Sequence, residues 1–461
     1  MEKESLNRLI LKLAAPAILN NITVPLLGLC DTAIAGHLGS ASYLGAIAIG
    51  AMMLNVFFWL SGFLRMGTTG LTARSLGRKR NEECMEVLRK SLIIAAVISI
   101  LVIIFREPLL NLFLYFIAPD SNVSDLASLY FRIGVWGVPA QLAVMAVSGW
   151  FIGLQTTVVP MTIAVGTNVI NIATSILLAF GLKKGFPGIA YGTLCANWIG
   201  AIAALIWARI RYVALQKKTS DAAISLSRDD ASTKSAIRKK TSPESAIKWS
   251  ELFSVNGALF IRSACIMAVT LTVTSVGARL GEITLAANAV IMQFFMFFSY
   301  FMDGFAFSGE ALAGKYSGAG ENGMVKTLLK RLSLWGGGMA LIFFLIYSLG
   351  ARGIVGLLTD SSAVIDEAMK YKLWIMLLPP ITVAAFIYDG IFVGLTRTKA
   401  MMAVTLAGSI LFFILLFCVN LPIDNNLLWL SFESYLFIRG GALAVIFKFT
   451  SKICKPASKN I

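Results

Sequence analysis

The sequence predicts an all-α integral membrane protein with twelve transmembrane helices in two six-helix lobes, which are related by a pseudo-two-fold axis along the membrane normal. Three observations support this prediction: an apolar composition, twelve runs long enough to cross a bilayer, and a polar segment between two similar halves. Of the 461 residues, 57% are hydrophobic and 14% are charged, and the mean hydropathy is +0.78. This composition is typical of a polytopic membrane protein, because a water-soluble fold cannot bury so much apolar surface.

Twelve apolar runs are each long enough to cross about 30 Å of hydrocarbon as a helix. The first run is longer than the apolar core of a signal peptide, and no small-residue cleavage site follows it, so we expect it to stay as a helix. In chain order, the predicted spans lie near 9–36, 46–66, 91–116, 128–152, 160–181, 187–210, 249–276, 286–308, 332–351, 371–394, 400–420 and 428–448.

A polar, low-complexity segment lies in the middle of the chain. It has no aromatic residue between Tyr212 and Trp249, and such a run buries too little apolar surface to order itself. We therefore expect an N-terminal six-helix lobe at 1–212, a flexible cytoplasmic linker at 213–247, a C-terminal six-helix lobe at 248–450 and a basic cytoplasmic tail at 451–461.

The two halves resemble each other when one is shifted along the other by about 242 positions. Gly62-Phe63 then falls on Gly304-Phe305. Since each half has an even number of spans, both halves have the same orientation in the membrane, and a central cavity is expected between them. Two such lobes are suited to transport by alternating access. No G-x-x-x-x-G-K-[ST] motif occurs, so an ion gradient is the expected energy source.

The basic residues predict the orientation in the membrane. Lys and Arg concentrate in cytoplasmic loops, and most of the 40 Lys and Arg residues fall on the side that holds both termini. We therefore expect a multi-pass protein of the cytoplasmic (inner) membrane with both termini in the cytoplasm. The net charge of +16 follows the loops, and anionic lipid accounts for it without a nucleic-acid partner.

Three long stretches resemble the multidrug and toxic compound extrusion (MATE) family, in particular its DinF branch. They are PAILNNITVPLLGLCDTAIAGHLGSASYLGAIAIG from Pro16, DGFAFSGEALAGKYSGA from Asp303 and YDGIFVGLT from Tyr388. The resemblance implies a secondary active efflux antiporter that exports amphiphilic, often cationic compounds in exchange for H+ by alternating access. It is not expected to be an enzyme or to hold a cofactor, and a monomer is expected. Na+ is the alternative coupling ion.

Asp31 is the candidate proton-coupling residue. It is the only acidic residue of the first span, and a charged carboxylate at the centre of a span costs about 2.5 to 3.5 kcal/mol on insertion scales. Pro25, six residues earlier, removes a helix hydrogen bond and favours a bend, which the resemblance also implies. The alternative is that Asp31 caps the second helix or meets water in the outer headgroup layer.

The resemblance implies a hydrogen-bonding network around Asp31 that contains Asn171 and Thr193. The alternative for these two residues is ordinary hydrogen bonding between helices. Ser175 stands where one branch of the family has an aspartate, so a relay of two carboxylates is not expected in the first lobe.

Charged residues also lie in or beside the spans of the second half. These residues have two interpretations. They could form a structural salt-bridge network, since charges in lipid are normally paired, or they could form a Na+ site of the kind that the family resemblance allows. The acidic residues in or at the edge of these spans are Asp303, Glu310, Asp389 and Glu433, and the basic ones are Arg262 and Arg439. The candidate sites among them are Asp303, Glu310, Asp389 and Arg262.

Three other classes of protein are less well supported. A lipid-linked precursor flippase shares the two-lobed plan but favours several deep arginines, and here only Arg262 and Arg439 lie deep in spans. An intramembrane enzyme needs a cluster of catalytic groups, which a single histidine and scattered carboxylates do not supply. A channel needs a repeated filter-like loop. The six cysteines have no C-x-x-C spacing, so no metal site is expected.

Overall fold

The structure, a computed structural model, describes residues 5–38, 41–117, 120–227, 247–419 and 422–453, and these ranges are nearly all helical. The helices are α1 (Leu6–Gly36), α2 (Ala41–Leu60), α3 (Gly62–Gly77), α4 (Asn81–Ile104), α5 (Arg106–Ile117), α6 (Ser121–Gly134), α7 (Val138–Gly153), α8 (Val158–Ile176), α9 (Phe186–Ser227), α10 (Trp249–Arg279), α11 (Glu282–Gly318), α12 (Asn322–Leu358), α13 (Ser362–Lys370), α14 (Lys372–Gly394), α15 (Thr398–Phe417) and α16 (Asn425–Ile453). A 3₁₀ turn (Val135–Gly137) joins α6 to α7, and a π turn (Leu177–Gly181) ends α8.

The predicted fold class is confirmed. Among the described residues, eleven helical stretches are long and apolar enough to cross a membrane; the first is Ser42–Gly77 and the last is Asn425–Phe449. α1 precedes them and covers the first predicted span. The chain is therefore an all-α integral membrane protein with the twelve spans that its hydropathy predicts.

The third span differs from its prediction at 91–116, because α4 ends at Ile104 and a separate helix, α5, follows Phe105. Pro108 accounts for the break. A proline lacks the N–H that would bond to the carbonyl four residues earlier, and its ring collides with that carbonyl, which here belongs to Ile104. In α5, Pro108 is the third residue, where its missing N–H is tolerated. Glu107 consequently lies on the short helix α5 and not within a span.

Helix α9 extends into the segment that the sequence predicts to be a linker. It continues to Ser227, whereas the linker was expected from residue 213. Leu215 is buried in a core cluster with Trp150 and Phe151, and the Asn81 amide donates a hydrogen bond to the Thr219 hydroxyl over 3.4 Å. Packing against α4 and α7 therefore supports the helical extension. Residues 228–246 of the linker and the tail from 454 lie outside the described residues.

By contacts, the chain divides into two compact units. We call Leu19–Phe253 the N-lobe, and Met1–Ile18 together with Ser254–Ile461 the C-lobe. The division falls inside α1 and α10, while the sequence predicted it at the linker.

Hydrogen bonds and close packing explain where the division falls. In the C-lobe, the Ser308 hydroxyl on α11 donates to the carbonyl of Ile10 over 3.0 Å, which ties the start of α1 to α11. In the N-lobe, the Lys90 ammonium donates to the carbonyl of Ile247 and lies 5.0 Å from the centre of the Trp249 ring. Glu251 pairs with Arg74. The start of α10 therefore belongs with the N-lobe.

Each lobe contains one pair of helices that pack through glycine at corresponding positions. In the N-lobe, a Cβ on Gly153 of α7 would lie 2.8 Å from the carbonyl oxygen of Thr69 on α3. In the C-lobe, a Cβ on Gly394 of α14 would lie 2.5 Å from the carbonyl oxygen of Glu310 on α11. Both members of the second pair follow those of the first by 241 positions. Small residues allow such close backbone approach in membrane helices, so the sequence repeat corresponds to a repeated packing feature.

Candidate functional site

Asp31 lies in the N-lobe part of α1, and only 7% of its surface is exposed. Its Oδ1 atom is buried and has no hydrogen-bond partner among the described residues. Asp31 is inside α1, ten residues before the first residue of α2, so it does not occupy the position that caps α2. An acidic side chain buried with an unpartnered oxygen is unusual in a folded protein, and such groups concentrate at functional sites.

Asn171 and Thr193 form a direct hydrogen bond between α8 and α9. The Asn171 amide nitrogen donates to Thr193 Oγ1 over 3.0 Å, and the Ser175 hydroxyl donates to Asn171 Oδ1 over 3.3 Å. The Thr193 hydroxyl in turn donates to the carbonyl of Ile189 over 3.2 Å. The structure therefore brings together the two residues that the family resemblance placed in one network.

Tyr130 lies near both this network and Asp31. It lies on α6 with 4% of its surface exposed, and it is close enough to Thr193 and to Asp31 to interact with both side chains. Its ring fills the space beside Gly50 on α2, where a Cβ would lie 2.6 Å from a ring carbon. Asp31, Tyr130 and the hydrogen-bonded Asn171–Thr193 pair, which come from α1, α6, α8 and α9, therefore lie in one region of the N-lobe.

Helix α8 also contacts α1 directly, beside Pro25. The Asn168 amide donates to the carbonyl of Thr23 over 3.3 Å, and Asn168 lies one turn before Asn171 on α8. Pro25 lacks an N–H, so it cannot donate the usual helical hydrogen bond to the carbonyl four residues earlier. α1 is helical on both sides of Pro25. The bend expected there stays a prediction.

In the C-lobe, Asp389 is the centre of a buried cluster of three charges. Its Oδ2 atom accepts hydrogen bonds from Arg262 on α10 and from Arg439 on α16, the latter over 2.7 Å. Asp389 is 9% exposed, and the two arginines are 5% and 8% exposed. The Arg439 guanidinium also lies 5.4 Å from the centre of the Tyr435 ring. Two positive charges on one carboxylate oxygen oppose the binding of a cation there.

The other two C-lobe candidates lie on α11. Glu310 is 2% exposed, and the backbone at its carbonyl is the close-packing partner of Gly394. Asp303 is close enough to Tyr300 for their charges to interact. The described residues contain no group of three or more His, Cys, Asp or Glu side chains that could hold a metal ion.

Two tyrosines of these clusters could not be identified from the sequence. Tyr130 is one of several aromatic residues in its span, and Tyr435 lies in a run of aromatic and apolar residues. The only available signal was a hydroxyl group within an apolar helix, and this signal does not separate a network member from a residue that packs on its neighbours. Their roles depend on contacts with residues far away in the chain.

Twelve spans, two lobes and ionisable groups inside the spans define a multi-pass membrane transporter. The MatE family model matches residues 16–177 and 258–418, which is more than half of the chain. The chain belongs to the MatE family, whose members are multidrug efflux transporters and not enzymes.

Individual relatives agree with this assignment. The chain is 33% identical over 440 residues to "DNA damage-inducible protein F" of Escherichia coli K12, which covers 95% of this chain and 91% of that protein. It is 24% identical over 404 residues to "Protein DETOXIFICATION 44, chloroplastic" of Arabidopsis thaliana, covering 84% of this chain and 72% of that protein. Both likenesses extend over both lobes.

Solved structures show the same fold. A crystal structure of MATE in the bent conformation has a TM-score of 0.80 at 15% identity and covers 98% of this chain and 96% of that chain. A MOP superfamily transporter from Pyrococcus furiosus has a TM-score of 0.78 at 17% identity and covers 97% of this chain and 96% of that chain.

Proposed function

We propose that the protein is a secondary active antiporter that exports amphiphilic, often cationic compounds in exchange for H+ by alternating access. Asp31 is the residue that couples the proton. The observation that supports this most is the burial of Asp31 with an unpartnered oxygen, close enough to Tyr130 for their charges to interact. We also propose that the protein resides in the inner membrane as a monomer, with both termini in the cytoplasm. It contacts lipid and small-molecule substrates and binds no nucleic acid.

The chemistry of the network suits proton exchange. A protonated Asp31 is neutral and can donate one hydrogen bond, whereas an ionised Asp31 only accepts. The Tyr130 hydroxyl can serve the carboxylate as a donor, and Thr193 stays satisfied by the Asn171 amide and the Ile189 carbonyl. Loss of the proton therefore changes which hydrogen bonds Asp31 can form with its neighbours, and such a change can favour one conformation over another.

Competition between proton and substrate then produces antiport. An ionised Asp31 attracts a cationic substrate to the N-lobe, and a protonated Asp31 does not. If proton binding weakens substrate binding, linkage requires that substrate binding weakens proton binding to the same extent. Release of the substrate outside and uptake of a proton there would complete the exchange.

The C-lobe geometry supports H+ over the alternative of Na+. Asp389 already accepts from two arginines, and Na+ next to two guanidinium groups would be repelled. The same arginines give little support to the flippase alternative. Two arginines with the shared partner Asp389 have only one net positive charge with which to bind a lipid phosphate. H+ coupling through the N-lobe is therefore the function that the described geometry supports best.

The test uses inverted membrane vesicles, whose outer face is the cytoplasmic one, so that efflux by the protein appears as ethidium uptake into the lumen; acid and sodium gradients are imposed separately. Asp31→Asn is nearly isosteric and removes the ionisable group, so we expect normal insertion and loss of efflux driven by the acid gradient. Asp125→Asn makes the same change at an exposed position of α6 and should transport normally. Unimpaired proton-driven efflux by Asp31→Asn would contradict the proposal. If a sodium gradient alone drives ethidium efflux by the unaltered protein, this result would support Na+ as the coupling ion.

A further inference from the structure

Glu433 is a second buried carboxyl group, on α16 of the C-lobe. It is 2% exposed, and neither of its carboxyl oxygens has a hydrogen-bond partner. Within the part of the chain that the structure describes, it is the one acidic residue whose two carboxyl oxygens are both buried and without a hydrogen-bond partner. By contrast, Glu83 is 4% exposed, and one of its oxygens accepts from Arg80 over 2.6 Å.

The polar groups nearest to Glu433 along α16 already have partners. The Trp429 indole, one turn before Glu433, donates to Asn288 Oδ1 over 2.8 Å. Asn288 and Asn425 exchange two hydrogen bonds of 2.7 and 2.9 Å. These donors are therefore not available to an ionised Glu433.

The two arginines on the surrounding helices are engaged with Asp389. On α16 itself, the Arg439 guanidinium donates to the Tyr435 hydroxyl over 3.4 Å and to Asp389. Asp389 on α14 holds Arg262 of α10 as well. The remaining groups on α14 and α15 include Tyr388, whose ring centre lies 6.2 Å from that of Phe447, and Lys399 at the start of α15. None of them forms a hydrogen bond with Glu433.

An ionised carboxylate without donors or a counter-charge is strongly disfavoured inside a membrane. A carboxyl group at this position is therefore accommodated when it carries a proton. It could lose that proton to water only in a state of the transporter in which water reaches it. Binding and release at different stages of a cycle are the properties of a coupling residue.

We propose that Glu433 is a second proton-binding site of the transport cycle, in the C-lobe, in addition to Asp31. This inference rests on the proposed function as a proton antiporter. In each cycle the O–H bond of Glu433 would break, with the proton passing to water on the cytoplasmic side, and would form again with a proton taken up from outside. Two protons would then enter for each substrate molecule that leaves.

The proton number has an electrical consequence. Exchange of one H+ for one monovalent cation moves no net charge, so a membrane potential alone does not drive it. Exchange of two H+ moves one net charge, and each 100 mV then changes the steady-state ethidium ratio by about 50-fold. Whether a potential drives transport therefore reports on the second proton.

The experiment uses the full-length protein in proteoliposomes with ethidium as the probe. Either a pH gradient or a valinomycin-induced potassium diffusion potential is imposed, and protein-free liposomes report passive movement of the dye. We expect the unaltered protein to respond to both gradients and Glu433→Gln to respond to the pH gradient only. Asp31→Asn should respond to neither, because it also removes the charge that attracts the cationic substrate. Glu83→Gln, which removes a buried but ion-paired carboxylate, should respond to both.

The outcomes separate this inference from the proposed function. If Glu433→Gln responds to the potential as the unaltered protein does, or if the unaltered protein ignores the potential, the second site is disproved while antiport through Asp31 stands. If the pH gradient drives no transport by the unaltered protein, the proposed function itself fails. Should Glu433→Gln not fold, two further measurements decide. Glu433→Asp should keep the response to the potential. The unaltered protein should also release about two protons for each ethidium that it binds, and release of only one proton would overturn the inference.

Discussion

Tyr130 lies close enough to both Asp31 and Thr193 to interact with their side chains. A phenol can donate to a carboxylate and accept from a hydroxyl at the same time. Its ring packs beside Gly50 and lies 6.3 Å from the ring centre of Phe186. The ring position is therefore fixed by packing, and the hydroxyl is the part that can respond to the charge of Asp31.

Tyr130→Phe tests this role. The variant keeps the ring and removes the hydroxyl, so we expect a folded protein. Since one hydrogen bond contributes about 1 kcal/mol, proton-driven ethidium efflux should slow by roughly fivefold. Tyr115→Phe removes a hydroxyl from a ring that is 80% exposed and should have no effect. Equal efflux by the two variants would show that the Tyr130 hydroxyl does not take part.

The sequence singles out Asp31 as a candidate and does not single out Tyr130, for a physical reason. An acidic residue in an apolar run is visible locally, because its cost depends on the medium that surrounds the helix. The proposed role of Tyr130 depends on its distance from Asp31, about a hundred positions away in the chain. That distance is set by how α1, α6 and α9 pack. For the same reason the sequence suggested charges in the C-lobe without showing that Asp389 joins Arg262 to Arg439.

At the scale of the helices, apolar run length predicted the spans well because the bilayer fixes the length of a helix. The ends were harder to predict. The break at Phe105 follows from a collision between Pro108 and the carbonyl of Ile104, which interrupts the helix although the apolar run continues. The extension of α9 to Ser227 depends on packing partners in α4 and α7, which composition does not report.

The close-packed glycines give a prediction about the helix pairs. Gly149→Ala would drive a Cβ into the carbonyl of Arg65, and Gly390→Ala would do the same at the carbonyl of Ala306. Neither backbone can yield easily, so each variant should lose about 1 to 3 kcal/mol of stability. The thermal unfolding midpoint of the purified protein in detergent is the measurement.

The control for this prediction is Gly166→Ala, whose added Cβ would meet nothing within 4 Å. It should leave the midpoint unchanged or raise it slightly, since alanine favours helix more than glycine does. If Gly149→Ala and Gly390→Ala unfold at the same temperature as Gly166→Ala, the helices of each pair do not pack as described.

Helix α13, which lies outside the spans, contains a charge pair that predicts a pH dependence. The Lys370 ammonium donates to Glu367 over 2.7 Å and, with the hydroxyls of Tyr371 and Thr284, holds the pKa of that carboxyl below its ordinary value of 4.5. A lowered pKa stabilises the folded protein above pH 4.5, and this contribution is lost as the pH falls through the folded-state pKa.

Glu367→Gln tests this dependence. The unaltered protein should unfold at a higher temperature than the variant near neutral pH, and the difference should disappear as the pH falls below 4.5. Thermal unfolding in detergent between pH 3 and 7 is the measurement, with Asp360→Asn as an exposed acidic control. A difference that is the same at every pH would mean that the charge of Glu367 contributes nothing.

At the scale of the whole molecule, the two lobes share a packing plan and differ in their charges. Both contain a close glycine contact at positions 241 residues apart. The N-lobe has one isolated acidic residue, Asp31, in its network, whereas the C-lobe has an ion-paired cluster at Asp389 and, separately, Glu433. Duplication explains the shared plan. The charges that differ between the lobes would determine ion coupling and substrate choice. For this reason the family resemblance predicts the fold more completely than it predicts the site.

The central claim is that proton movement and substrate movement are obligatorily linked through Asp31, and linkage can be measured in reverse. Proteoliposomes are loaded with a pH-sensitive dye, no pH gradient is imposed, and an ethidium gradient is applied across the membrane. The account predicts that ethidium moving down its gradient drives protons in the opposite direction, and that Asp31→Asn abolishes this proton movement. Ethidium movement without a change of pH in the unaltered protein, or an equal change of pH with Asp31→Asn, would contradict it.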